Sequence, residues 1–397
     1  MNESHDEKYT FNTGVILAGA FLLIFFLNIY VSGFSPFQSL LKNDLSISYE
    51  QLGLITSVFF VGYILGQVPW GIVADKYGVK RIMAISMLGI AVCTVLFGLA
   101  VSYWEVVVSR FFAGLLGAGI FAPSVKLASM WFKPKKRGTA LGIMNLGGSL
   151  GLVFASYLSP FLALDIGWRG ALVLYGLLGV LSSVLGFLTL RDRKLPRLEK
   201  EPEMSKVVRY KSFWLLGVIQ FIRFGTYNTL LVWLPIFMQE QYGLDIIIAG
   251  VAFSLFNWAG VFSNPIGGFA SDRRGEKAII FISLLATAMA ILFFIGVKTL
   301  LVLFLAIFIM GWFINFPRSP LFTIIPKLWG TEMAGKASGV QNMFAAIGGL
   351  AIPFLIGYTR DMTGSYYTGW IILSATLIAG TLLNQMIKDS RQELSAR

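Results

Sequence analysis

Arg110, Lys126, Arg223 and Arg318 lie inside stretches otherwise apolar enough to cross a bilayer. The acidic residues fall in tails, loops or the ends of those stretches, Glu105 coming nearest to an apolar core. A charge at membrane depth is costly and persists where it faces a cavity or a partner. Cations with few carboxylates to neutralise them are suited to holding an anion. Arg223 is the sharpest case: at 1.5 Å per residue from position 212 it sits about 16 Å deep, near the midplane, too far in to snorkel to water. Its guanidinium fork matches carboxylate or phosphate oxygens two at a time. Nothing points to bond-making chemistry. The chain has no nucleophile elbow, phosphate loop, zinc spacing or dinucleotide fingerprint. The lone His5 is in the N-terminal tail, and the lone Cys93 reads as a small buried hydrophobe. Neither an enzyme nor a metal or cofactor is expected.

The elements that must position these cations are helices. The chain has 397 residues, 56% hydrophobic and 13% charged, against roughly a quarter charged in soluble domains. Apolar runs long enough to cross about 30 Å of hydrocarbon fall at about 11–32, 50–73, 81–101, 104–128, 138–161 and 168–190. Six more fall at about 212–235, 246–270, 277–297, 300–325, 335–358 and 367–388. The expected fold is an all-α polytopic membrane protein of twelve transmembrane helices, in two six-helix bundles at 1–190 and 212–397. A charged, proline-bearing cytoplasmic linker, 191–211, joins them. The net charge of +12 does not mark a nucleic-acid binder, because most basic residues fall in alternate connections between spans. That bias puts those connections and both termini in the cytoplasm of a cell whose plasma or inner membrane holds the chain.

The halves share a pattern. Gly71, Asp75, Lys76, Gly78 and Arg81 make a charged turn between two spans, and Gly268, Asp272, Arg273 and Gly275 return it at an offset of 268 − 71 = 197 residues. At that offset Tyr30 meets Tyr227, Gly53 meets Gly250, Gly114 meets Gly311, Pro123 meets Pro320 and Asn145 meets Asn342. A single offset holding from position 30 to 145 reads as a tandem duplication, a transporter architecture.

GxxxDKxGxKR at Gly71 to Arg81, RFxxG at Arg110 to Gly114 and WFxPxxRGxAxG at Trp131 to Gly142 resemble the major facilitator superfamily over nearly the whole chain. The resemblance implies two six-helix bundles around a central cavity, alternating access, and a conformational rather than substrate-binding role for both charged turns. It also makes Arg110 structural or coupling-related. The stretch Arg223, Phe224, Gly225, Trp233, Leu234, Pro235 resembles the seventh helix of the organophosphate and organic-anion branches, where the arginine grips the anion. Those phosphate-ester carriers have a second arginine in the first helix. Here the equivalent stretch offers only Asn28 and Tyr30, which turns the expectation toward a small carboxylate.

The expected substrate contacts are Arg223, Tyr227, Tyr30, Asn28, Arg318, Lys126 and Asn342. Arg318 sits between two prolines in NFPRSP, where the tenth span should loosen. The favoured function is secondary transport of a small mono- or dicarboxylate by a monomer, with protons or a counter-anion as coupling partner and lipids as surroundings. A phosphate-ester or anion exchanger, a drug efflux carrier, and a channel or non-transporting receptor remain as alternatives.

Overall fold

The computed structural model describes residues 3–132, 134–193, 207–330 and 334–387, with backbone alone at 3–12, 122, 134–136, 138 and 334–336. Helix α1 runs Glu3–Ser32, reaching back through the segment expected as a tail, and a 3-10 turn (Ser35–Phe37) leads into the short α2, Gln38–Leu45. Then come α3 (Tyr49–Tyr77), α4 (Val79–Leu99), α5 (Tyr103–Trp131) and α6 (Pro134–Thr189). The second half holds α7 (Lys211–Tyr242), α8 (Ile246–Arg274), α9 (Glu276–Ile295), α10 (Leu300–Asn315), α11 (Pro320–Trp329), α12 (Ala334–Thr363) and α13 (Tyr366–Gln385). The linker expected at 191–211 lies largely outside the described residues, as do the basic residues Lys388, Arg391 and Arg397.

Among the described residues, eleven helical runs are long and apolar enough to cross a membrane. One of them, within α6, contains Gly167 at φ 71° and ψ 166°, so α6 is two helices in series. Side chains such as Leu301, Met362 and Leu382 are 82%, 67% and 65% exposed on these helices, the outward face expected of helices solvated by lipid. Local sequence sets the ends. The Ser102 hydroxyl accepts from the Glu105 N–H while the Glu105 carboxylate accepts from Val101 at 2.8 Å, a reciprocal cap that starts α5. Glu105 is thus an exposed cap and not the near-core acid expected from sequence. Asp245 caps α8 through the Ile248 N–H at 2.8 Å. Gly243, left-handed at φ 64°, ends α7.

The chain divides into two compact units, the first Met1–Ile47 with Val58–Arg197, the second Ser48–Ser57 with Leu198–Arg397. The first turns of α3 therefore cluster with the second unit. The tandem repeat reappears inside each unit. In the first, Gly114 brings α5 against the Phe59 carbonyl of α3; in the second, Gly311 brings α10 against the Phe256 carbonyl of α8. A side chain at either glycine would collide with that backbone. Gly78 and Gly275 share another signature, φ 94° and ψ 148° in one and φ 84° and ψ 146° in the other. Few L-residues tolerate those angles.

Candidate functional site

In the second unit α7 is the most buried long helix, and Arg223 lies on it with 4% of its surface exposed. Its Nε donates to the Ile314 carbonyl at 3.0 Å, near the end of α10. Its guanidinium stands 5.5 Å from the centre of the Tyr227 ring, one turn further along. That ring is fixed by stacking on Phe256, at 6.2 Å and 24°. Nη1 and Nη2, the fork itself, make no hydrogen bond among the described residues. The Tyr227 hydroxyl makes none either. One turn before Arg223, the buried Gln220 amide nitrogen is also without a partner.

Arg318 enters the same region from a break in the tenth span. Between α10 and α11 residues 316–319 leave the helix, because Pro317 and Pro320 remove two amide donors. The break is held by Arg318 N–H to the Asn315 carbonyl at 3.1 Å and Leu321 N–H to the Pro317 carbonyl at 3.0 Å. Gly267 of α8 lets this turn approach, its Cα facing the Phe316 carbonyl. The half-buried Arg318 is close enough for its charge to act on both Arg223 and Tyr227. Neither arginine has a carboxylate partner among the described residues. Two like charges and an open fork in a mostly apolar surround are poorly compensated unless an anion joins them. Asn342 is half-buried on α12, next to Gln341, whose amide donates to the Phe213 carbonyl at 2.9 Å.

The first unit uses its polar residues differently. Arg110, 3% exposed, donates to the carbonyls of Tyr30 at 2.6 Å and Val31 at 3.1 Å. It lies between the rings of Phe34 and Phe59, at 4.8 and 4.7 Å. The Tyr30 hydroxyl donates to the Tyr175 carbonyl at 3.0 Å and occupies the space left by Gly179. The Asn28 amide donates to the Ile24 carbonyl at 2.9 Å, one turn back. Lys126 forms an ion pair with Asp75, so the charged turn and an expected substrate cation come together. Lys76 lies over the Tyr77 ring at 5.2 Å and Arg81 is exposed. A side chain at Gly71 would meet nothing within 4 Å among the described residues, so close helix approach there is not what calls for glycine, whereas Gly78 is needed for its backbone angle. In the second copy Arg273 lies over Phe269 at 4.3 Å, Asp272 is exposed, and Gly268 abuts Ser319.

One polar centre was missed. At the far end of α7 the Glu240 carboxylate accepts from the hydroxyls of Tyr49 at 2.7 Å and Tyr366 at 2.8 Å, with Arg360 at 4.0 Å. Asp361 accepts the backbone N–H groups of Tyr49 at 3.2 Å and Glu50 at 2.6 Å, capping α3 from α12. The seventh span was expected to end at Pro235, but the helix passes through that proline to Tyr242 and carries Glu240 into the cluster. The signal available was Gly243, the next glycine after the proline.

Helices of this length, a duplicated glycine framework and arginines without carboxylate partners define a polytopic membrane transporter. The sequence profile described as the Major Facilitator Superfamily matches residues 19–353 and 216–388, and the chain belongs to that family. It is a multi-pass transporter of the inner or plasma membrane. Relatives include the "Probable nitrate transporter NarT" of Staphylococcus epidermidis, 28% identical over 373 residues, covering 91% of this chain and 93% of that one. The "Probable nitrate/nitrite antiporter NarK1" of Thermus thermophilus is 27% identical, covering 82% and 80%. The "Probable sulfoacetate transporter SauU" of Cupriavidus necator is 25% identical, covering 96% and 95%. Among solved structures, a bacterial homolog of the human lysosomal transporter Spinster, inward-facing and occupied, superposes with a TM-score of 0.82. It covers 96% of this chain and 97% of that one at 18% identity, a likeness of fold.

Proposed function

We propose that this carrier moves small oxyanions by alternating access, exchanging one anion for another, and that Arg223 is its principal anion contact. The observation that carries the reading is the buried guanidinium whose fork has no acceptor and no carboxylate counter-charge among the described residues. Arg318 supplies a second positive charge, and the Tyr227 hydroxyl a neutral donor. Relatives named for nitrate and nitrite support a small inorganic oxyanion over the mono- or dicarboxylate favoured from sequence, the one named for sulfoacetate, which carries a carboxylate beside its sulfonate, supports the wider class of small oxyanions, and one named an antiporter supports exchange. The second arginine that phosphate-ester carriers hold in the first helix has a counterpart in function here, Arg318 of the tenth span. Counting α6 as two crossings, with Gly167 between them, makes twelve, and the basic connections then place both termini in the cytoplasm. Asp75 and its repeat serve the conformational cycle, and the chain works as a monomer.

The test is counterflow in proteoliposomes loaded with nitrite, nitrate, sulfoacetate, succinate or glycerol phosphate, with isotopically labelled nitrate outside. Saturable uptake that depends on internal anion is expected, strongest with the small oxyanions. Linear ohmic current without counterflow would restore the channel reading, and undiminished uptake by folded Arg223→Ala protein would remove the proposed contact.

A further inference from the structure

A recess in the second unit has a lining that does not include Arg223. It opens where the end of α8 meets α9 and α11, and its volume is about 580 Å³. Its lining is divided. The basic part is Arg274, Lys277 and Lys327, and the apolar part includes Phe281, Ile282 and Leu328. Among the described lining residues only Glu276 opposes the three cations, and that carboxylate is buried and pairs with Lys327 at 2.5 Å. The Lys277 ammonium donates to the Ile387 carbonyl at 2.6 Å. Arg274 is exposed and makes no hydrogen bond or ion pair among the described residues. The lining therefore keeps excess positive charge at a helix end.

The apolar side continues down α9. Ile282, Met289 and Phe293 are 41%, 56% and 58% exposed, and spacings of seven and four put them on one stripe. On a membrane-crossing helix such a stripe meets acyl chains. The recess thus joins a basic rim to a lipid-facing track, a combination that a free anion would not require.

The matching corner of the first unit shows what occupies such a place. There the Asp192 carboxylate lies against Gly78 and accepts the Lys80 N–H at 3.0 Å. At the offset of 275 − 78 = 197 residues, a side-chain carbon placed on Gly275 would meet no atom within 4 Å among the described residues. We propose that this recess binds an anionic phospholipid, its phosphate standing where Asp192 stands in the other repeat and one acyl chain running along Ile282 and Met289. The rim lies in the cytoplasmic leaflet by the same charge bias that orients the chain. Basic pockets at this level suit phosphate headgroups. Asp389, at the matching offset from Asp192, lies outside the described residues and is the competing occupant.

The test is native mass spectrometry of delipidated, detergent-purified protein titrated with phosphatidylglycerol, phosphatidylcholine or inorganic phosphate. Wild type should retain phosphatidylglycerol saturably in preference to the other two. An Arg274→Gln, Lys277→Gln double variant that elutes as folded protein should bind it at least about tenfold more weakly, since each basic group near an anionic headgroup contributes about fivefold. A chain ending at Ile387 should still bind. Equal retention of phosphatidylcholine, equal binding of phosphate alone, or an unaffected double variant would overturn the proposal. So would loss of binding on truncation, which would move the contact to the tail, or binding that appears only after truncation, which would leave the recess to Asp389.

Discussion

Arg110 and Arg223 are the same residue type at nearly the same burial, 3% and 4% exposed, and they differ in what their donors reach. Arg110 spends its fork on two carbonyls that end α1 and fills the space between two phenylalanine rings. Arg223 spends only Nε, on the Ile314 carbonyl, and leaves the fork unbonded beside Tyr227. Depth alone therefore does not separate a brace from a binder. Donor occupancy does: a guanidinium already satisfied by backbone holds helices together, while one left open in an apolar surround is poised for a ligand.

The largest expected effect tests the open fork. Removing one partner of a desolvated charged pair costs about 2–5 kcal/mol. Arg223→Ala should weaken nitrate or sulfoacetate binding by more than about tenfold in thermal-shift titration. Without ligand its melting temperature should hold or rise, because an uncompensated buried charge has been removed. Arg223→Lys should fall between, keeping the charge and losing the fork. If the variant instead unfolds while binding survives in the folded fraction, Arg223 is a brace like Arg110.

Arg110→Ala should do the reverse. It strands the Tyr30 and Val31 carbonyls and leaves a gap between two rings. Each orphaned buried acceptor costs roughly 1–3 kcal/mol. The apparent melting temperature should drop by several degrees while anion affinity of the folded protein changes little. A selective loss of affinity would show that Arg110 reaches the ligand.

This division explains what the sequence could and could not show. The spans were legible because lipid demands long apolar helices, and the 197-residue repeat was legible because glycines at crossings tolerate no side chain. The break around Arg318 was legible from its two prolines. Donor occupancy was not, since the carbonyls that satisfy a side chain are set by tertiary packing. Tyr30 and Tyr227 make the point. They match in the repeat and read as equal candidates, yet Tyr30 reaches the Tyr175 carbonyl through space left by Gly179, and the repeat puts Thr376 at the corresponding position. Glu240 was missed for a related reason: Pro235 looked like the end of a helix that packing carries on to Tyr242.

The tyrosines give a smaller, sharper test. Tyr30→Phe removes a buried hydrogen bond and should cost about 1 kcal/mol of stability with affinity unchanged. Tyr227→Phe breaks no hydrogen bond among the described residues and should leave stability alone while weakening anion binding a few fold. The opposite pattern would reverse their roles.

The smallest equilibrium effect is expected at Asp75, and it separates the motif from the site. Asp75 lies two residues before the C-terminal end of α3, where the helix already presents negative ends of peptide dipoles, so its carboxylate is unfavourably placed on local grounds. The Lys126 ion pair offsets this only in part, because 71% of the Asp75 side chain is exposed and such pairs contribute about 0.2–1 kcal/mol. A group that contributes so little to this conformation is better explained by one in which it does more. Asp75→Asn should therefore leave melting temperature and anion affinity nearly unchanged while slowing counterflow several fold. Lys126→Gln should reproduce that profile, as its charge is committed to Asp75. Should Lys126→Gln abolish anion binding in folded protein while Asp75→Asn spares it, Lys126 would return to the substrate site, and the first unit would hold a ligand cation of its own.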